Sequence, residues 1–183
     1  MIEKKMPGDS FEFRGVNLLE EFNIKCVKTD FISPKKRVRK TSIPKRHGLY
    51  DHGAINWEER IIRMDCDLLK PLSRGDMREI TYLLSKKGKL YLWDEPDKYY
   101  VAEVYDPAEI FEFPKQSIRT FTLEFVCEPF AYREETYFDL EDGMNDHIKY
   151  IGTESAPCTI ILENAGDSTI ENITILARTR RDK

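Results

Sequence analysis

Ser117 to Arg133, SIRTFTLEFVCEPFAYR, constrains this chain more than any other stretch. Phe121, Leu123, Phe125 and Cys127 fall on one parity and Thr120, Thr122 and Glu124 on the other, the period of a strand with one buried face. Pro129 stops it, and Phe130 and Tyr132 follow. So much apolar surface cannot be satisfied by a lone hairpin, which is marginal in water, so the strand demands a sheet or a helix to cover it.

The cover is legible upstream. Phe11 to Phe13 alternates as a short strand, Asn17 to Phe22 reads as a helical turn or a loop, and Lys25 to Phe31 reads as strand. Ala54 to Leu69 alternates with a change of parity between Ile61 and Ile62, which predicts a bulge. Ser73 to Lys87 is the one clear helix: Ser73 can cap it, Asp76 sits in its first turn, Met77, Ile80, Leu83 and Leu84 form an apolar stripe, and Gly88 is expected to stop it. Lys89 to Trp93 and Tyr99 to Tyr105 read as a hairpin around Pro96, and Phe111 and Phe113 lead into the organising strand. Strands that follow one another through turns, with no βαβ alternation, predict a mainly β, α+β fold: an antiparallel β-sandwich or split barrel with one helix.

Domain organisation follows from a shift in composition. With 183 residues, 40% hydrophobic and 34% charged, the chain can build one substantial core and a smaller annex. We place the boundary at 133/134, where Glu134, Glu135, Asp139, Glu141, Asp142 and Asp146 introduce an acidic, turn-rich segment. Residues 1–133 are expected to form the main β domain. Residues 134–183 are expected to form a short or incomplete β region with strands at Thr159 to Glu163 and Ile170 to Leu176. No apolar run approaches a membrane span and the first ten residues lack the core of a signal peptide, so synthesis in the cytoplasm is expected.

The candidate interaction residues lie in one basic segment. Lys35, Lys36, Arg37, Arg39, Lys40, Lys45 and Arg46 follow one another with no acid among them, in a chain whose net charge is −4. Such asymmetry bears on partners rather than on fold. The readings are a solvated loop, attraction to an acidic protein surface such as another copy of this chain, and contact with nucleic acid. The third is disfavoured because the stretch has neither stacking aromatics nor a groove-reading helix. Pro34 and Pro44 rule out an interior helix or central strand, and predict an arm that reaches a neighbouring subunit, with Glu134 to Asp146 as its acidic complement.

No catalytic, metal-binding or cofactor-binding constellation emerges. Cys26, Cys66, Cys127 and Cys158 are scattered without metal-ligand spacing and read as small buried residues of strands. His47, Asp51 and His52 are possible metal donors in a turn-rich connection, but no fourth donor lies near. Asp65 and Asp67 share a strand face and could mimic a glycosidase dyad, although acids on an exposed strand face are far commoner than catalytic pairs.

A resemblance joins these pieces. Ile43-Pro-Lys-Arg-His-Gly48, Arg63-Met-Asp-Cys-Asp67 ahead of the helix, Gly88-Lys-Leu-Tyr-Leu-Trp-Asp-Glu-Pro96 and Phe121-Thr-Leu-Glu-Phe-Val-Cys-Glu-Pro-Phe130 succeed one another in an order that resembles the distal tail protein (Dit) family of long-tailed bacteriophages. The strand running into C-x-P-F is the most specific element, and the similarity spans residues 10–133. Cys158 to Ile175 resembles the opening of that family's galectin-like second sandwich, which members usually complete. The resemblance implies a structural virion protein of the phage tail tip, a distal tail adaptor. Its N-terminal domain would form a six-membered ring joining the tail tube protein to the tail-tip hub or baseplate, with no cofactor, no membrane contact and no directly bound nucleic acid. Two other classes stand beside it: a carbohydrate-binding or carbohydrate-cleaving tail module, and a nucleic-acid-binding protein.

Overall fold

The computed structural model describes residues 6–104, 120–139, 150, 152–164 and 166–167. Two compact units divide the chain, Met1–Tyr137 and Phe138–Lys183. Among the described residues the first holds nine strands and two helices: β1 (Phe11–Phe13), β2 (Val16–Asn17), α1 (Leu18–Phe22), β3 (Ile24–Ile32), β4 (Lys36–Ser42), β5 (Leu49–Trp57), β6 (Arg60–Leu68), α2 (Arg74–Leu84), β7 (Gly88–Leu92), β8 (Tyr99–Glu103) and β9 (Thr120–Cys127). Seven of the strands make one sheet in the order β2-β1-β7-β8-β9-β6-β3, and β4 with β5 makes a separate ribbon. Every pairing is antiparallel. The fold is therefore mainly β, as expected, with a large open sheet that does not close into a barrel.

Strand β9 takes the place its pattern demands, between β8 and β6. Leu123, Phe125 and Cys127 are buried and Phe121 is half-buried, while Thr120, Thr122 and Glu124 are exposed. Phe125 meets the edges of Phe11 and Phe13 from β1, with ring centroids 6.2 and 5.2 Å apart. Ile80, Leu83 and Leu84 of α2 belong to the same buried cluster. Met77, expected beside them, is only half-buried.

Helix α2 starts where the sequence places it. The Asp76 N–H donates to Ser73 Oγ at 3.1 Å and the Ser73 N–H donates to Asp76 Oδ2 at 2.9 Å, a reciprocal capping box. Its end differs from expectation: the helix closes at Ser85 in right-handed geometry, and Gly88 opens β7. The reason is Arg14, which donates its backbone N–H to the Lys89 carbonyl at 3.0 Å and its guanidinium to the Leu83 carbonyl at 3.2 Å. A Cβ on residue 88 would collide with the Arg14 side chain, so close approach requires glycine there. Asn17 to Phe22 resolves as α1, capped by Asn17 Oδ1 accepting from the Leu19 N–H at 3.0 Å.

The predicted bulge within Ala54 to Leu69 is instead a break between strands. Trp57 pairs with Lys36 in the ribbon whereas Arg60 pairs with Cys127 in the main sheet, and β6 then runs on without a register shift, so Ile61 and Ile62 lie on opposite faces, Ile62 buried and Ile61 half-buried. A bulge does occur in β3, at Val27, where the register with β6 shifts between Cys26 and Lys28. In the second unit, Thr159 to Glu163 forms no strand and leaves Ile160, Ile161 and Leu162 exposed. A strand exists only through its ladder, and the expected partner, Ile170 to Leu176, lies outside the described residues, as do Phe111 and Phe113. Cys158, expected buried, is exposed in the same stretch, whereas Cys26, Cys66 and Cys127 are buried.

Candidate functional site

The basic segment is not an irregular arm. Lys36, Arg37, Arg39 and Lys40 lie on β4, which pairs with β5 from Lys36–Trp57 to Ser42–Leu49, while Lys45 and Arg46 occupy the turn and Lys35 precedes the ribbon. Pro34 and Pro44 fall just outside β4, where their missing N–H costs no ladder bond, so they bound the strand rather than prevent it. At the base, the Glu58 N–H donates to the Lys35 carbonyl at 2.7 Å. In the turn, Lys45 is held at φ 66° and Gly48 at φ 80°.

Every residue of β4 is exposed. None of the seven cations makes an ion pair among the described residues. Two of them rest on aromatic rings instead. Lys36 Nζ lies 5.1 Å from the Trp57 ring centroid and the Arg46 guanidinium 5.3 Å from that of Tyr50. Sequence reasoning found no aromatic within the basic stretch, because β5 brings them from across the ribbon. Reading Leu49 to Gly53 as strand continuous with Ala54 to Trp57, and pairing it with the basic stretch, would have found them.

At the ribbon's root lies an open groove of about 480 Å³ lined by Arg37, Glu58, Glu59, Ile61, Glu124 and Val126. The acidic complement expected at Glu134 to Asp146 is partly engaged within its own subunit. Lys89 Nζ lies 2.6 Å from Glu134 Oε1, and the Tyr91 hydroxyl donates to the same oxygen. Burial first, and Glu134 second, push the Tyr91 phenol above its ordinary range. Glu135 accepts from the Tyr137 hydroxyl at 2.7 Å. Glu141, Asp142 and Asp146 lie outside the described residues.

The other candidates serve the sheet. Asp65 and Asp67 accept from Thr122 and Thr120 on β9 at 2.8 and 2.7 Å, cross-strand bonds on the exposed face. His52 Nε2 lies 3.0 Å from Thr41 Oγ1, and its ring stands edge-on to Tyr50. Among the described residues, no three His, Cys, Asp or Glu side chains gather in a way that could hold a metal ion. No helix among them is long and apolar enough to cross a membrane.

The described residues thus form an open antiparallel sheet with one apolar face, joined in its buried cluster by α2, and an exposed charged ribbon. Residues 14–127 match the phage tail protein RIFT-related domain family, and the chain belongs to that family. Among solved structures it is similar to the SPP1 Dit protein, described as a paradigm of the hub adsorption apparatus in phages that infect Gram-positive bacteria, with a TM-score of 0.51 at 17% identity. That similarity covers 68% of this chain and 51% of the SPP1 protein, so the chain spans about half the length of that structure. No curated protein matches the sequence. The Dit resemblance carried by Arg63 to Asp67 and Phe121 to Phe130 agrees in fold with the SPP1 structure, and the family places the chain among phage tail proteins.

Proposed function

We propose that this protein is a structural virion adaptor whose N-terminal domain, residues 1–133, assembles into a six-membered ring at the tail tip, joining the tail tube protein to the hub or baseplate. It works by binding its neighbours, without catalysis and without a cofactor. The observation that carries this reading is the β4–β5 ribbon, which exposes all of β4 and leaves Val38, Leu49 and Tyr50 at 47%, 60% and 42% exposure. A two-stranded ribbon open on both faces is marginal in water, so a surface that covers it stabilises it.

Closed rings need two different complementary patches on each subunit. The basic ribbon supplies one. The acids at its root, Glu58 and Glu59 with Glu124, together with the acidic segment after Arg133, supply candidates for the other. Each exposed pair is worth only about 0–1 kcal/mol, so several must act together, and salt weakens them.

The test replaces Lys35, Lys36, Arg37, Arg39 and Lys40 with Ser and measures mass by light scattering across a salt series. The expected variant has the circular dichroism of the parent but runs as smaller species, more so at high salt. Normal assembly with lost affinity for DNA would overturn the ring contact. It would favour nucleic acid, a reading to which Trp57 and Tyr50 beside the cations lend some chemistry.

A further inference from the structure

Cys26 on β3 and Cys66 on β6 stand directly opposite each other in the ladder. The Leu69 N–H donates to the Asn23 carbonyl at 2.9 Å, which makes Asn23 and Leu69 a hydrogen-bonded pair. Pair types alternate along an antiparallel ladder, so Cys26 and Cys66, three steps on, form a non-hydrogen-bonded pair. The Cys26 N–H agrees with this, since it points away from β6 and donates to the Asp9 carbonyl at 2.8 Å. Such pairs have Cα atoms about 4.5 Å apart, within the roughly 4.4–6.8 Å that a disulfide spans.

The Cys66 thiol donates to the Met64 carbonyl at 3.7 Å and the Cys26 thiol to the Lys28 carbonyl at 3.6 Å. The neighbouring Cys66 holds Cys26 below the ordinary thiol range, whereas Cys26, and then burial, push Cys66 far above it. Thr29 Oγ1 lies 3.4 Å from Cys26 Sγ. Cys26 also lines a cavity of about 150 Å³, with Asp9, Val27, Lys28, Thr29 and Trp93 among its walls. The bulge at Val27 interrupts the ladder beside it. Cys127, by contrast, faces Arg60 and Ala102 across its ladders, and Cys158 is exposed in the second unit.

We propose that Cys26 and Cys66 are a redox modification site, at which a small hydroperoxide entering the cavity beside Cys26 drives formation of a cross-strand disulfide. The Cys26 thiolate attacks the outer peroxide oxygen, the O–O bond breaks, and the departing alkoxide or hydroxide takes up the thiol's proton. Cys26 is then a sulfenic acid. The Cys66 sulfur attacks it, the S–O bond breaks, and hydroxide leaves as water with the Cys66 proton. Two thiols are oxidised by two electrons and one peroxide is reduced to an alcohol, or to water, plus a second water. The new bond ties β3 to β6 near the Ile24–Leu68 end of their ladder, the end away from the ribbon. This inference does not depend on the ring.

The experiment treats the intact protein with hydrogen peroxide, quenches with catalase, alkylates in denaturant and maps peptides without reductant. Two of the four thiols should be lost to alkylation, with the Cys26 peptide joined to the Cys66 peptide. Cys66→Ser should stop at a Cys26 sulfenic acid trapped by dimedone, and Cys127→Ser should give the parent's product. Retention of all four thiols, or a linked peptide containing Cys127 or Cys158, would overturn the proposal. The parent's map decides this even if a variant fails to fold.

Discussion

The main sheet and the ribbon are both antiparallel, yet they are built on opposite physics. In the main sheet Phe11, Phe13, Ile62, Met64, Leu90 and Phe125 are wholly buried, and the strands hold because apolar area leaves water. In the ribbon nothing on β4 is buried, its register slips at Arg37–Val38 and again before Lys40, and every charge on β4 is positive. A chain that spends nine residues of β5 on such a ribbon gains little stability from it. The contrast teaches that the sheet makes the fold and the ribbon makes contacts elsewhere.

The comparison breaks most easily at Phe125. Phe125→Ala should destabilise the monomer by about 3–5 kcal/mol in urea unfolding, since it removes a ring packed on Phe11 and Phe13. A loss below about 1 kcal/mol would mean that this face is not the core. Removing the helix cap is the next largest effect: Ser73→Ala should cost about 1 kcal/mol, with Ser73→Gly milder, as read from the same unfolding curves. Val38→Ala in the ribbon should change monomer stability by no more than about 0.5 kcal/mol. A larger loss at Val38 would show that the ribbon is packed within its own subunit. The smallest effect expected is none: a chelator should leave the melting temperature where it was, and a drop of several degrees would bring His47, Asp51 and His52 back as metal donors.

Much of the fold was legible because burial leaves a period in the sequence. Phe121 to Cys127 announced β9, and Ser73 with Asp76 announced the start of α2. The end of α2 was not legible, since Gly88 reads as a helix stop until Arg14, far away in sequence, is seen to occupy the space a Cβ would need. The ribbon was half legible. Its seven cations and flanking prolines were plain, but pairing with Leu49 to Trp57 was hidden by glycines and histidines that read as turn, and by the absence of any buried face to impose alternation.

By itself, the sequence determined which residues could form a core strand, where the helix begins, and which segment carries surplus positive charge, because these depend on side-chain chemistry at short separation. Only the tertiary structure decided that Trp57 and Arg60 belong to different sheets, that Asp65 and Asp67 are taken up by Thr122 and Thr120, and that Cys26 and Cys66 meet. Each of these depends on strand register between residues distant in sequence, and register is set by how the buried faces of all the strands fit together.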